Sequence, residues 1–225
     1  GASRGIGRAT VLALAKPGST LVLAARDEDA LRILGDEVTA LGAQAVPILC
    51  DITSETQVQQ TMSEAAAITG RIDVLINSAG GAVIAPFEQL ALEQWEHALR
   101  TLLTGTFLAC KYAAPHMGRG GLIVNVASVA ARSAFPGWAA YSAAKFGVLG
   151  FTNAMREELR ERGVRVSAVL PAATDTTLWD ALPGDWSRAN MLQAEDVGRA
   201  IAGLVGQPSY MATEELVIGH VAGRL

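Results

Sequence analysis

Gly1-Ala2-Ser3-Arg4-Gly5-Ile6-Gly7 leads without a break into the helical run Arg8-Ala9-Thr10-Val11-Leu12-Ala13-Leu14-Ala15, and an apolar run over 21–25 follows. Glycines at a helix start let a pyrophosphate approach backbone N–H groups and the positive end of the helix dipole. Alone, such a turn is weak evidence, because glycine also makes ordinary turns. In a parallel sheet a strand precedes this turn, so a further apolar strand of about 5 to 10 residues is expected upstream of Gly1.

Beyond 21–25, short runs rich in Val, Ile and Leu recur at 45–49, 72–76, 121–127, 165–170 and 215–218, and read as strands buried on both faces. Helical patterns lie between them, at 4–16, 28–41, 54–69, 93–116, 138–162 and 195–205. Strand alternating with helix implies an α/β domain, a doubly wound, mostly parallel sheet with helices on both faces. No linker or repeat divides residues 1–225, so one domain is expected. The least regular stretch, around 172–192, falls where such sheets bind ligands and reads as a mobile substrate lid.

Half of the 225 residues are hydrophobic and 18% are charged, which excludes disorder. Lys+Arg 18 against Asp+Glu 22 leaves a net charge of −4 with the cations scattered, so no nucleic-acid face is expected. Charge-free stretches such as 74–87 are too short for the roughly 20 apolar residues of a membrane span. Cys50 and Cys110 lack metal-ligand spacing and read as small core residues in a reducing, cytoplasmic compartment; no metal is expected.

Tyr141-Ser142-Ala143-Ala144-Lys145 opens the helical run 138–162. Four residues apart on a helix, the phenol and the ammonium share a face and can act on one molecule. A nearby cation favours phenolate, which makes Tyr141 an acid/base candidate near neutrality. Ser128 stands at the end of the run 121–127, where a hydroxyl can reach a substrate carbonyl oxygen. No Gly-x-Ser-x-Gly elbow accompanies His97, His116 or His220, which argues against a serine-hydrolase triad.

Together these residues resemble the short-chain dehydrogenase/reductase family over essentially the whole chain. Gly1 to Gly7 looks like its cofactor glycine motif, with Gly1, Ser3, Arg4, Gly5, Ile6 and Gly7 at the dinucleotide. Asn77-Ser78-Ala79-Gly80 is similar to its Asn-Asn-Ala-Gly segment, which assigns Asn77, Ala79 and Gly80 to the cofactor. Asp51 with Ile52 resembles its adenine contact, and Pro171, Thr174 and Thr176 its stretch beside the nicotinamide amide. The resemblance implies a single-domain Rossmann fold and hydride exchange between a nicotinamide cofactor and a carbonyl/alcohol pair. Tyr141 would be the acid/base and Ser128 would steady the carbonyl oxygen. Lys145 would hold the ribose and lower the phenol's pKa.

Cofactor choice is read from charge. A carboxylate after the second strand would bond the ribose 2′-OH of NAD, whereas here Ala25 is followed by Arg26. With Arg4 as a second guanidinium, NADP(H) is expected over NAD(H), tempered by Asp27. The chain departs from the family at Ser78, at Ala172, and above all at Leu102, which stands where an asparagine ties a water chain to the lysine. Thr101, Thr104 or a backbone-bound water are the candidates to compensate. Asn125 reads instead as a tie between strands.

Val129 to Trp138, the glycine-rich stretch Gly80 to Pro86, and Leu178, Trp179, Leu182 and Trp186 are expected around the substrate, so a small hydrophobic or aromatic carbonyl compound fits, with Arg132 a possible anion contact. The small and apolar residues of the two long helices point to a homodimer or homotetramer. The competing readings are a catalytically silent NADP(H)-binding sensor or partner subunit, motivated by Leu102 and Ala172, and a sugar-nucleotide epimerase or dehydratase.

Overall fold

In a computed structural model, which describes residues 1–223, six parallel strands carry the architecture. They are β1 (Thr20–Ala25), β2 (Gln44–Leu49), β3 (Val74–Asn77), β4 (Leu122–Val126), β5 (Arg165–Pro171) and β8 (Glu215–Ile218). β3, β4, β5 and β8 form a four-stranded sheet in the order β3-β4-β5-β8, and β1 pairs with β2. Gly1 lies between the two sheets. Its nitrogen donates to the Ala24 carbonyl at 2.7 Å, and a Cβ on Gly1 would sit 2.4 Å from the Ala79 nitrogen.

Helices α1 (Gly5–Leu14), α2 (Glu28–Ala40), α3 (Glu55–Thr69), α4 (Leu92–Ala98), α5 (Gly105–Ala113), α6 (Ala139–Arg160) and α7 (Ala194–Val205) cover the sheets. The two-residue period of β4 assigns its faces. Leu122, Val124 and Val126 pack on Val197, Ile201 and Leu204 of α7, while Ile123 packs with Leu108, Met155 and Leu159 of α5 and α6. Each such side chain, fully buried, contributes about 1.5–3 kcal/mol. On the first pair, α2 lays Leu31, Leu34 and Val38 against Leu23 and Ala25. Local signals set the helix limits. Asp27 and Ser54 cap α2 and α3 through their side chains, and α3 ends at Gly70 in the left-handed region. The chain leaves α1 at Leu14, short of the expected residue 16, because Lys16 precedes Pro17.

Three expectations need correction. β2 and β8 are not buried on both faces, for each pairs on one side only and Leu49 and Val217 are about half exposed. Pro47, which cannot donate to a ladder, suits such an edge. The helix expected over 93–116 is broken into α4, a π-helical turn over Leu99–Thr104, α5 and a 3-10 turn over Ala114–His116. The break coincides with two local demands. Thr106 Oγ1 donates to the Leu102 carbonyl at 2.7 Å, and Gly105 packs so close to Ile52 that a Cβ would lie 2.6 Å from its Cγ1. The segment 172–192, read as the least regular stretch, carries its own strand pairing and core. β6 (Thr174–Asp175) pairs in parallel with β7 (Leu192–Gln193), and Trp179, Leu182 and Met191 form a small core between them.

Asn125, fully buried in β4, ties strands together as expected. Its Oδ1 accepts from Asn77 Nδ2 of β3 at 2.8 Å, and its Nδ2 donates to Thr152 Oγ1 of α6 at 2.9 Å. Asn125→Ala strands both partners in the interior and is expected to lower the unfolding free energy by about 2–4 kcal/mol in urea titrations. A loss below about 1 kcal/mol would show that the bridge carries no stability.

Candidate active site

The carboxyl ends of β4 and β5 open into a cleft of about 780 Å³, walled by the Gly5 turn, the start of α6 and the 172–192 segment. Ser128 follows β4 by two residues and is 9% exposed; its Oγ accepts from the Ala130 N–H at 3.1 Å, which fixes the hydroxyl at the cleft's edge. Tyr141 and Lys145 sit one turn apart in α6 and both line the cleft. Lys145 is 6% exposed, and its Nζ donates to the Val126 carbonyl at 2.7 Å and lies 5.6 Å from the centroid of the Tyr141 ring.

Burial sets the charges of this pair. It pulls the Lys145 ammonium down to about 8, and it raises the Tyr141 phenol above its ordinary value, with a hydrogen bond from Ser128 acting in the opposite sense. The sequence pointed to a phenol lowered by the neighbouring cation. Within the chain by itself desolvation outweighs any such effect, and Lys145 is turned to the Val126 carbonyl.

At the other end of the cleft stand Arg4, Gly5, Ile6 and Arg26. α1 carries no acidic side chain in its first turn and Arg4 makes no side-chain cap, so its leading N–H groups are open to an anion. Gly5 has φ +49°, and a Cβ there would lie 3.0 Å from Thr176 Cγ2; a Cβ on Gly7 would lie 1.9 Å from the Gly1 carbonyl oxygen. Both glycines are therefore required by the turn itself, and the cradle fits a pyrophosphate. Arg4 pairs with Asp27 at 2.5 Å, and Asp27 also caps α2, which holds its carboxyl below the usual range. Among the described residues Arg26 makes no ion pair.

Ala79, Gly80, Pro171, Thr174 and Thr176 also line the cleft. Asn77 instead bonds Asn125, and Asp51 accepts from the backbone and hydroxyl of Thr53 at 2.9 and 2.8 Å. Gly1, Ser3, Gly7 and Ile52 are not among the residues lining the cleft; Gly1 and Gly7 leave space for neighbouring backbone, and Ile52 packs against Gly105 of α5. Leu102, in the π-helical turn, is 2% exposed and touches the cleft; Thr101 Oγ1 beside it is buried without a partner. Arg132 pairs with Glu215 and is no cleft contact. Cys50 and Cys110 are free and buried, and the described residues hold no cluster fit for a metal. Sequence reading missed the Val126 carbonyl that holds Lys145, since a main-chain acceptor leaves no mark on residue identity. It also missed Arg188, which bonds Asp175 and reaches Asp180 at 2.6 Å across the 172–192 segment.

Residues 1–185 match the family model for short chain dehydrogenases. The 3-oxoacyl-[acyl-carrier-protein] reductase of Thermotoga maritima is 33% identical over 234 residues, covering 99% of this chain and 93% of its own. The D-threitol dehydrogenase of Mycolicibacterium smegmatis is 37% identical over 191 residues, covering 82% of this chain and 74% of its own. Among solved structures, an alcohol dehydrogenase from Thermococcus sibiricus complexed with 5-hydroxy-NADP superposes with a TM-score of 0.93 at 26% identity, covering all of this chain and 96% of that one. A short chain dehydrogenase from Burkholderia cenocepacia in complex with NADP gives 0.88 at 28% identity, over 97% and 94%.

The lowered lysine has a consequence for stability. Moving an ammonium from 10.5 to about 8 costs the folded state about 3 kcal/mol while both states are protonated. Between pH 8 and 10.5 the unfolded chain binds more protons, so stability rises with pH there and the cost disappears. Lys145→Met, measured without cofactor, is expected to melt above the parent at pH 7 and to lose that advantage toward pH 10.5. A variant melting below the parent at pH 7 would contradict this.

Proposed function

The chain belongs to the short-chain dehydrogenase/reductase family of oxidoreductases, and on that premise we propose that it exchanges hydride between NADP(H) and a carbonyl/alcohol pair, with Tyr141 as general acid/base. The observation that carries the reading is the meeting of Ser128, Tyr141 and Lys145 at one end of a cleft whose other end is the Gly5 turn with Arg4 and Arg26. The bound cofactor supplies or accepts the hydride. The residues of the chain bind, orient and move the proton.

The cofactor-binding residues in this reading are those of the glycine turn, Arg26, Asp51, Ile52, Asn77, Ala79, Gly80, Pro171, Thr174 and Thr176, with Tyr141 and Lys145. Ser128 Oγ, fixed by the Ala130 N–H, donates to a carbonyl oxygen. Tyr141, whose phenol burial raises above its ordinary value, is the proton donor for reduction. Lys145, 5.6 Å from the Tyr141 ring centroid, would hold a ribose hydroxyl of the bound cofactor, and its charge favours phenolate in the alcohol direction. Arg26, with no carboxylate partner among the described residues, would meet a 2′-phosphate, while Arg4 is shared with Asp27. NADP in two of the neighbouring structures supports this choice. The exposed Phe107 and Phe146 of α5 and α6 support the expected homo-oligomer.

Tyr141→Phe removes the only proton it can deliver and is expected to cut kcat by at least about 100-fold, with NADPH affinity kept within a few-fold. Turnover that survives this change would remove Tyr141 from its role. Arg26→Asp is expected to raise the KM for NADPH by at least about tenfold and leave NADH unhindered, since it loses a charge-assisted contact and adds a like charge. An unchanged NADPH/NADH ratio would transfer the choice elsewhere.

A further inference from the structure

Three tryptophans meet at the Tyr141 end of the cleft. Trp138, one turn before the acid/base, stands 5.3 Å from the Tyr141 ring centroid in an edge-to-face arrangement. Trp179 and Trp186 of the 172–192 segment lie 5.9 and 6.3 Å from Trp138 and 4.9 Å from each other. Trp179 Nε1 donates to the Thr174 carbonyl at 2.8 Å, which fixes its ring. Arg188, bonded to Asp175 and Asp180 and reaching the Thr176 carbonyl at 3.2 Å, clasps the segment that carries both rings.

Resting on the reductase reading, we infer that this tryptophan wall selects a compact, uncharged, ring-bearing ketone or the matching secondary alcohol. The first argument is spacing. Aromatic rings with centroids about 4.5–7 Å apart are in mutual contact, so these three form a continuous apolar surface. The second is charge. The charged side chains lining the cleft are Arg4, Arg26 and Lys145, all positive, and among the described residues no carboxylate lines it. A cationic substrate therefore finds repulsion and no counter-ion. The third is distance from the chemistry. With Trp138 a single ring-width from the phenol, the group directly attached to the carbonyl carbon is what touches the wall. A ring there meets flat, preset surfaces and freezes no torsions, whereas a linear chain of equal carbon number must order several.

The test uses the intact protein with NADPH and a matched set of ketones: cyclohexanone, 2-hexanone, acetoacetyl-CoA and 4-(trimethylammonio)-2-butanone. The expected result is a kcat/KM for cyclohexanone at least about tenfold above each of the others, carried mainly by KM. Trp186 is the wall member to change, because its Nε1 has no hydrogen-bond partner among the described residues and the ring is held by packing alone. Trp186→Ala is expected to erase the preference by raising the cyclohexanone KM at least about tenfold, and Trp186→Phe to restore most of it. Should the alanine variant fail to fold, saturable quenching of tryptophan emission in the unmodified protein with NADP+ bound, by cyclohexanone and not by 2-hexanone, replaces it. Faster turnover of the linear, cationic or thioester ketone, lost in Tyr141→Phe, would overturn the wall's role and leave the reductase reading intact. NADPH binding with no ketone reduced would overturn both.

Discussion

Lys145 carries its ammonium into the interior of the protein on a single hydrogen bond to the Val126 carbonyl at 2.7 Å, and most of the site is arranged around that contact. A charge held this way is expensive in desolvation, and the drop to about 8 records it. The carbonyl belongs to the last residue of β4, at the carboxyl end of the sheet where the cleft opens. Two residues further on stands Ser128, and one turn before Lys145 on α6 stands Tyr141, so anchoring the lysine to Val126 places all three side chains at one point. Function and stability pull in opposite directions at this residue.

The rest of the interior keeps polar groups paired. Asn77, Asn125 and Thr152 join β3, β4 and α6 through side-chain hydrogen bonds, and this bridge lies beneath the cleft, on the α5 and α6 side of the sheet. It gives the strand ends bearing Ser128 and Gly80 a rigid support without surrendering a cleft-facing group. The opposite wall is built differently. Trp138, Trp179 and Trp186 hold the 172–192 segment by ring packing, and Arg188 fastens it from outside with two carboxylates. Rigid polar bridging on one side and aromatic packing on the other separate the parts that position the proton from the parts that meet the substrate.

What was readable in the sequence follows the strength of the local signal. β4 and β5 were evident because both their faces are buried and their residues are mostly apolar. β6 and β7 are two residues each, too short for any period, and exist because the tryptophan core closes above them. The π-helical turn at Leu99–Thr104 was hidden inside an unbroken helical pattern, since Gly105 meets Ile52 only in the folded chain. Tyr141, Lys145 and Ser128 were identifiable as a pattern, yet the direction of the phenol's shift was not, because burial is a property of the packed cleft. The bond from Asn77 to Asn125 left no mark either, because the two amides stand 48 residues apart in the chain and meet only when β3 pairs with β4.

The central claim is that this cleft brings a hydride donor and a carbonyl together, and following the hydrogen itself tests it most directly. NADPH carrying deuterium at the transferable position of the nicotinamide is incubated with the protein and a ketone, and the product is examined by mass and by proton NMR. The account predicts deuterium on the carbinol carbon, one atom per turnover, and a slowed kcat/KM relative to unlabelled NADPH. Product alcohol without the label, or cofactor that binds and retains it beside every ketone offered, would contradict the account.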